Sequence, residues 1–172
     1  MAKVVTGKVR ASYLTVFEPK SINDGEAKYS VSLVIPKSDK KTVEKIQQAI
    51  EQAKQDGKEK WGGKIPANLK TPLRDGDVDR ADDPVYANSW FVNASTKNRP
   101  GLVDADLNPI MDSTELYSGC YIRASVNFYP FSVNGNRGVA CGLNNIQKLA
   151  DGEPLGGKSS PADDFSDSDL LG

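Results

Sequence analysis

The segment CYIRASVNFYPFSV, Cys120 to Val133, constrains the fold more than any other. Ile122, Ala124, Val126 and Phe128 alternate with Tyr121, Arg123, Ser125, Asn127 and Tyr129. A period of two sends these sets to opposite faces of an extended chain. One apolar and one polar face is the pattern of a half-buried antiparallel strand. Asn134-Gly135-Asn136 follows as a hairpin turn. RGVACGLNNIQKL then reads as the returning strand, with Val139, Cys141 and Leu143 sharing one parity.

Three further strands are predicted. In KVVTGKVRASYLTVF (Lys3 to Phe17), Val5, Gly7, Val9, Ala11 and Tyr13 share one face, and Thr6, Lys8, Arg10 and Ser12 the other. A turn-rich break around Asn23-Asp24-Gly25 leads into KYSVSLVIP, where Tyr29, Val31, Leu33 and Ile35 lie on one side. These two strands form a hairpin. Ser38 is placed as a helix N-cap with Asp39 in the first turn. From Asp39 to about Trp61, Val43, Ile46, Ile50 and Ala53 recur at helical spacing until Gly62-Gly63 stops the run. Residues 64–89 read as a long polar loop. SWFVNASTK is the third strand, and GLVD and NPIMD are short pieces of a second hairpin. After Leu149 the periodicity ends.

The expected fold is mainly β with one helix (α+β). It is a five-stranded, OB-fold-like antiparallel Greek-key barrel with the helix between strands two and three. Residues 1–150 form the domain. Residues 151–172 form a flexible linker and an acidic tail, expected to be disordered.

The chain has no histidine. That removes imidazole triads, imidazole metal centres and most acid–base chemistry at neutral pH. No convergent acid–base pair is visible, so no enzyme, cofactor or metal is expected. Two cysteines are too few for a disulfide scaffold or a zinc site, and their parity points both toward the core. No apolar run is long enough to span a bilayer, and the N-terminus has no apolar signal segment. An intracellular, reducing compartment is the expected location.

Two motifs imitate chemistry. GEPLGGKS, Gly152 to Ser159, fits the phosphate-loop pattern letter for letter. A working phosphate loop needs a docked helix after it, whereas here SPADDFSDSD follows, with Pro161 and four aspartates in the tail. It reads as a tether. DGDVDRADD, Asp75 to Asp83, resembles a calcium loop but has Arg80 where glycine is needed and Tyr86 where glutamate is needed. It reads as a solvated acidic loop.

The charge is unevenly placed. The tail carries Asp163, Asp164, Asp167 and Asp169 and no base; without them, 19 acidic residues face 22 basic ones, a body of +3. On the polar strand faces, Lys8, Arg10, Asn93, Lys97, Arg99 and Arg123 interleave with Phe91, Tyr121 and Tyr129. Bases stack on aromatic rings while cations follow phosphates, so this mixture suits single-stranded nucleic acid. An ordinary wet sheet face has aromatic residues too. The tail tips the reading: its acids mimic phosphate charge, and Phe165, Leu170 and Leu171 offer apolar anchors to partner proteins.

The sequence resembles the bacteriophage single-stranded-DNA-binding proteins of OB-fold type. The resemblance rests on GKVRASY, KYSVSLVIPKSD, NASTKNRPGLVD, YSGCYIRASVNFYPF, GNRGVACGLNNIQKLADGEPLGG and the acidic tail, in that order along most of the chain. It implies sequence-independent binding of single-stranded DNA in phage replication or recombination, and an acidic C-terminus that recruits replication or recombination enzymes. This tail ends in Leu170-Leu171-Gly172, not in the acidic run and Pro-Phe of many bacterial relatives. The alternative is a non-enzymatic phage structural or protein-interaction component. Self-association is left open.

Overall fold

The computed structural model describes residues 2–21 and 26–155. Eight strands form one sheet: β1 (Ala2–Val5), β2 (Val9–Lys20), β3 (Lys28–Pro36), β4 (Leu73–Asp75), β5 (Ser89–Thr96), β6 (Gly101–Val103), β7 (Tyr121–Val133) and β8 (Asn136–Ala150). The helices are α1 (Lys40–Asp56) and the short α2 (Gly76–Asp79), with 3-10 turns at Lys58–Trp61 and Pro84–Tyr86.

The five anticipated strands are all present, and their pairings close on themselves. β2 pairs with β3, β3 with β5, β5 with β8, β8 with β7, and β7 again with β2. Two expectations need correction. The sheet has three short strands more than the five, and it is not antiparallel throughout, because β5 and β6 both run parallel to β8. GLVD does enter a hairpin-like turn: Val103 bridges Pro109, and Ile110 N–H donates to Leu102 O at 2.8 Å.

The long ribbon is as the alternation demands. Ile122, Ala124, Val126 and Phe128 are all buried, and across from them lie Cys141, Leu143 and Ile146. On α1, Val43, Ile46, Ile50 and Ala53 are buried against the same core. Its N-cap is Asp39, not Ser38. The Asp39 carboxylate accepts from Thr42 N–H at 3.2 Å and from Thr42 Oγ1 at 2.7 Å, satisfying an otherwise orphan donor. The α-helix also ends earlier than expected, at Asp56, and the 3-10 turn carries Trp61 inward to donate from Nε1 to Phe131 O at 3.0 Å.

The first strand departs most from expectation. It breaks at Thr6–Lys8, where Thr6 turns inward and accepts from Ala124 N–H at 3.0 Å. Val5 is 38% exposed, whereas Val9 and Ala11 are buried. Pairing of β2 with β3 then slips between Ser12 and Thr15. Past that bulge the parity inverts: Leu14 and Val16 pack on the core, and Tyr13 is 60% exposed. A bulge adds one residue, so the side chains just past it change face; a second slip follows between Thr15 and Lys20, where Phe17 also packs on the core.

Residues 64–89 are not a plain loop either. β4 pairs with β5, and the residues after it form a strap across the outer face of β2, β3 and β5. Tyr86 reaches down from the strap, fully buried, and its hydroxyl hydrogen-bonds with Ser12 Oγ at 3.0 Å and Ser32 Oγ at 3.2 Å. Val34, Tyr86 and Phe91 make a second, smaller apolar cluster there. Lys37 anchors the strap's start through Asp75 and Asp77, each at 2.8 Å.

Candidate nucleic-acid interface

Three of the expected site residues meet. Arg10 pairs directly with Tyr121 across β2 and β7. The Lys8 ammonium lies 4.9 Å from the centre of the Tyr121 ring, and the Arg10 guanidinium 5.9 Å. Two cations on one half-buried ring are held by its electron-rich face. Lys8, Arg10 and Tyr121 line one side of a cavity of about 240 Å³, and Val34, Val85 and Ser89 line the other. Val85 also borders a larger groove of about 670 Å³, whose walls include Tyr13, Thr15, Lys20 and Ser30. Val85 thus borders both hollows, which lie along the outer surface of β2 and β3.

Arg10 is already engaged. Its Nε donates to Gly119 O at 3.1 Å and its Nη2 to Glu153 O at 2.8 Å. It thereby ties the segment that follows β8 to the turn that precedes β7. Leu155 N–H adds a bond to Ser118 O at 2.9 Å. This first half of the phosphate-loop look-alike is thus a strip laid against residues 117–119; its second half lies outside the described residues. The close approach needs small residues. Gly119 has φ +113°, and a Cβ there would collide with Glu153 O. A Cβ on Gly152 would collide with Gly119 O.

The same strip is clasped by a charged cluster. Lys148 and Asp151 form an ion pair at 2.7 Å, and the Tyr117 hydroxyl donates to Asp151 at 2.9 Å. Lys148 and Tyr117 together hold the Asp151 carboxyl below its ordinary range. Burial pushes the Lys148 ammonium down, but the bond and charge of Asp151 and the nearby Tyr117 and Cys120 outweigh it and leave its pKa raised. Burial pushes the Tyr117 phenol up.

The other expected residues separate. Phe91 is removed from the site: it is 2% exposed, and its ring meets Tyr86 edge-on with centroids 5.0 Å apart. Strand parity placed it correctly on the outer face, but the strap covers that face. Asn93 is exposed further along β5, and Lys97 is exposed and pairs with Glu26 at 3.1 Å. Arg99 is exposed beyond the end of β5. Arg123 and Tyr129 follow Tyr121 along the outer face of β7, exposed and half-buried respectively. Beside them, Asn127 Nδ2 donates to Asn144 Oδ1 at 3.1 Å, and Asn144 Nδ2 to Ser125 Oγ at 3.4 Å. Asp163, Asp164, Phe165, Asp167, Asp169, Leu170 and Leu171 lie outside the described residues.

Sequence reasoning missed Tyr13 and Arg80. Alternation assigned Tyr13 to the face of Val9 and Ala11, and no local signal marks the bulge that turns it outward. Arg80 lay in a segment without periodicity, and only the path of the strap brings its guanidinium over the Tyr13 ring. Among the described residues no group of acids and thiols is arranged to hold a metal ion, and no helix is long and apolar enough to cross a membrane.

Known proteins are similar to this chain over most of its length. A family model described as the ssDNA-binding protein of Enterobacter phage Enc34 matches residues 2–171. Protein p50 of Acyrthosiphon pisum secondary endosymbiont phage 1 is 32% identical over 177 residues, covering 96% of this chain and 93% of p50. Among solved structures, the single-stranded DNA-binding protein from bacteriophage Enc34 in complex with ssDNA has a TM-score of 0.79 and 26% identity, covering 90% of each chain. The single-stranded DNA-binding protein gp2.5 of bacteriophage T7 has a TM-score of 0.67 at 15% identity, covering 97% of this chain and 96% of that one. At that identity the likeness to gp2.5 speaks for the fold alone.

Proposed function

The chain belongs to the family of the Enterobacter phage Enc34 ssDNA-binding protein, and from that premise we propose that it binds single-stranded DNA, independently of sequence and without catalysis, during phage DNA replication or recombination. The observation that carries this reading is the meeting of Lys8, Arg10 and Tyr121 at the mouth of an outer-face groove. A ring flanked by two cations offers a base its π-face and the neighbouring phosphates their counter-charge. Among the described residues no α-helix lines either hollow, so the site reads backbone and stacking rather than sequence.

The body is an OB-type barrel spanning residues 1–150, a reading supported by the closed circuit of β2, β3, β5, β8 and β7. Arg123 and Tyr129 extend the path along β7, and Asn93, Lys97 and Arg99 along β5 and past its end. Residues 151–172 are linker and tail, which recruit replication or recombination proteins through Asp163 to Leu171. The host cytoplasm is where such a protein acts.

Titration of a fluorescein-labelled oligo(dT) with the full-length chain at two salt concentrations tests the reading. Affinity falls with salt, with a log–log slope of about −0.7 per phosphate neutralised. A chain that leaves the oligonucleotide free at low salt does not have this function.

A further inference from the structure

Tyr13 combines three features that packing does not call for. It is a bulky residue with φ +47°, in the left-handed region that β-structure avoids. It stands at the bulge that inverts the parity of β2. Its ring is 60% exposed and lines the larger groove. Left-handed backbone at a non-glycine residue is unfavourable and persists where the surroundings enforce it, often at binding sites. Here Leu14 N–H donates to Ser118 Oγ at 2.9 Å just past the bulge, which braces the turned-out backbone.

Arg80 approaches the same place from the strap. Its guanidinium lies 5.6 Å from the Tyr13 ring, 5.5 Å from Tyr86 and 5.8 Å from Phe91. Asp79, Asp82 and Asp83 are its sequence neighbours, yet among the described residues the Arg80 side chain forms no ion pair. Asp83 instead caps the turn at Val85, accepting its N–H at 3.0 Å. An exposed guanidinium seated on aromatic rings and not neutralised by a carboxylate is free to meet a phosphate.

We propose that Tyr13 and Arg80 form a second base-stacking and phosphate-binding post, beyond Val85 from the Lys8–Arg10–Tyr121 post, so that a single strand is held on both sides of the strap. The proposal rests on the single-strand-binding reading. The two hollows lie on either side of the strap residues Val85 and Tyr86, and Val85 borders both. Past Tyr13 along β2 and β3, Thr15 and Ser30 supply hydroxyls suited to sugar or base edges, and Lys20 adds a cation. The strap thereby has a second role besides burying Tyr86: it delivers Arg80 to the DNA path.

The test titrates fluorescein-labelled oligo(dT) with full-length wild type and with Tyr13→Ala, Tyr13→Phe, Tyr13→Asn, Arg80→Ala and Tyr121→Ala, and records a thermal midpoint for each. Tyr13→Ala should weaken binding roughly 5- to 150-fold, the loss of one stacked base. Tyr13→Phe keeps the ring and should bind within about twofold of wild type. Tyr13→Asn suits left-handed backbone, so it should hold or raise the thermal midpoint while losing affinity like alanine. A residue with a structural role alone would not separate stability from binding in this way. Arg80→Ala should make the salt slope shallower by about 0.7. Wild-type affinity for Tyr13→Asn beside a weakened Tyr121→Ala overturns this proposal and leaves the groove reading standing. Failure of the wild type to bind overturns both.

Discussion

Arg10 and Tyr121 face each other across the β2–β7 pairing, and one guanidinium serves both the ring and the protein's own C-terminal strip. Nε and Nη2 hold the carbonyls of Gly119 and Glu153, residues 109 and 143 positions away in the chain. The candidate interface and the exit of the tail are therefore one structure, and changes to either are felt at both.

Removing Arg10 should loosen that strip. In Arg10→Ala the carbonyls of Gly119 and Glu153 lose a charged donor. A charge-assisted bond contributes roughly 1.5–3 kcal/mol at full strength, and about 1 kcal/mol is expected here because the site is partly solvated. Faster hydrogen exchange of the Leu155 amide, which bonds to Ser118 O, is the direct readout. An unchanged Leu155 rate would show that Tyr117 and Asp151 hold the strip by themselves.

The clasp should also weaken in acid. The Asp151 carboxyl is held below the ordinary 3.8 by Lys148 and Tyr117. A carboxyl whose folded pKa lies below its unfolded value stabilises fully above the unfolded value, and that contribution drains away as pH falls through the folded one. The stability gap between wild type and Asp151→Asn should thus be constant at neutral pH and close below about pH 4. Thermal midpoints across that range measure it. A gap that persists at pH 2 would assign it to something other than the ionised carboxylate.

Tyr121→Ala should reduce oligonucleotide affinity by roughly 1–3 kcal/mol with folding intact. Tyr129→Ala, on the same strand face but away from Lys8 and Arg10, should cost less. Equal losses would extend the track along the whole outer face of β7.

Cys120 and Cys141 should be inert in the native protein. They are 0% and 4% exposed, and burial pushes both thiols up, so thiolate is scarce at any working pH. An aromatic disulfide reagent at pH 8 should label them only after denaturation. The double alanine variant should bind oligonucleotide normally and lose stability through the space it opens. Binding that depends on the redox state would contradict a structural role.

Truncation after Lys158 should tighten DNA binding, most clearly at low salt. The body carries +3 and the removed tail the four aspartates. Attachment to the same chain would hold those charges near the groove at roughly millimolar effective concentration, and salt screens the competition. Added tail peptide should restore the weaker value in part. Equal affinities at low salt would leave the tail only its partner-docking role.

The sequence by itself determined the elements with long periodic runs. Alternation in β7 and β8 and the three-four spacing on α1 placed Ile122, Phe128, Cys141, Ile46 and Ala53 in the core, because period reports which face of an element is apolar. Period does not report what lies over the other face. Phe91 was placed on the outer face of β5 correctly, yet it is buried because Tyr86, brought by an aperiodic segment, bonds to Ser12 and Ser32 above it. Tyr13 was assigned inward because parity assumes an unbroken strand, and one bulge reverses it. The partners of Arg10 are backbone carbonyls, which any residue type carries, so no composition or spacing could have named them. Tertiary structure decided the strap, the turned-out tyrosine and the clasped strip because each depends on where remote chain segments cross the sheet.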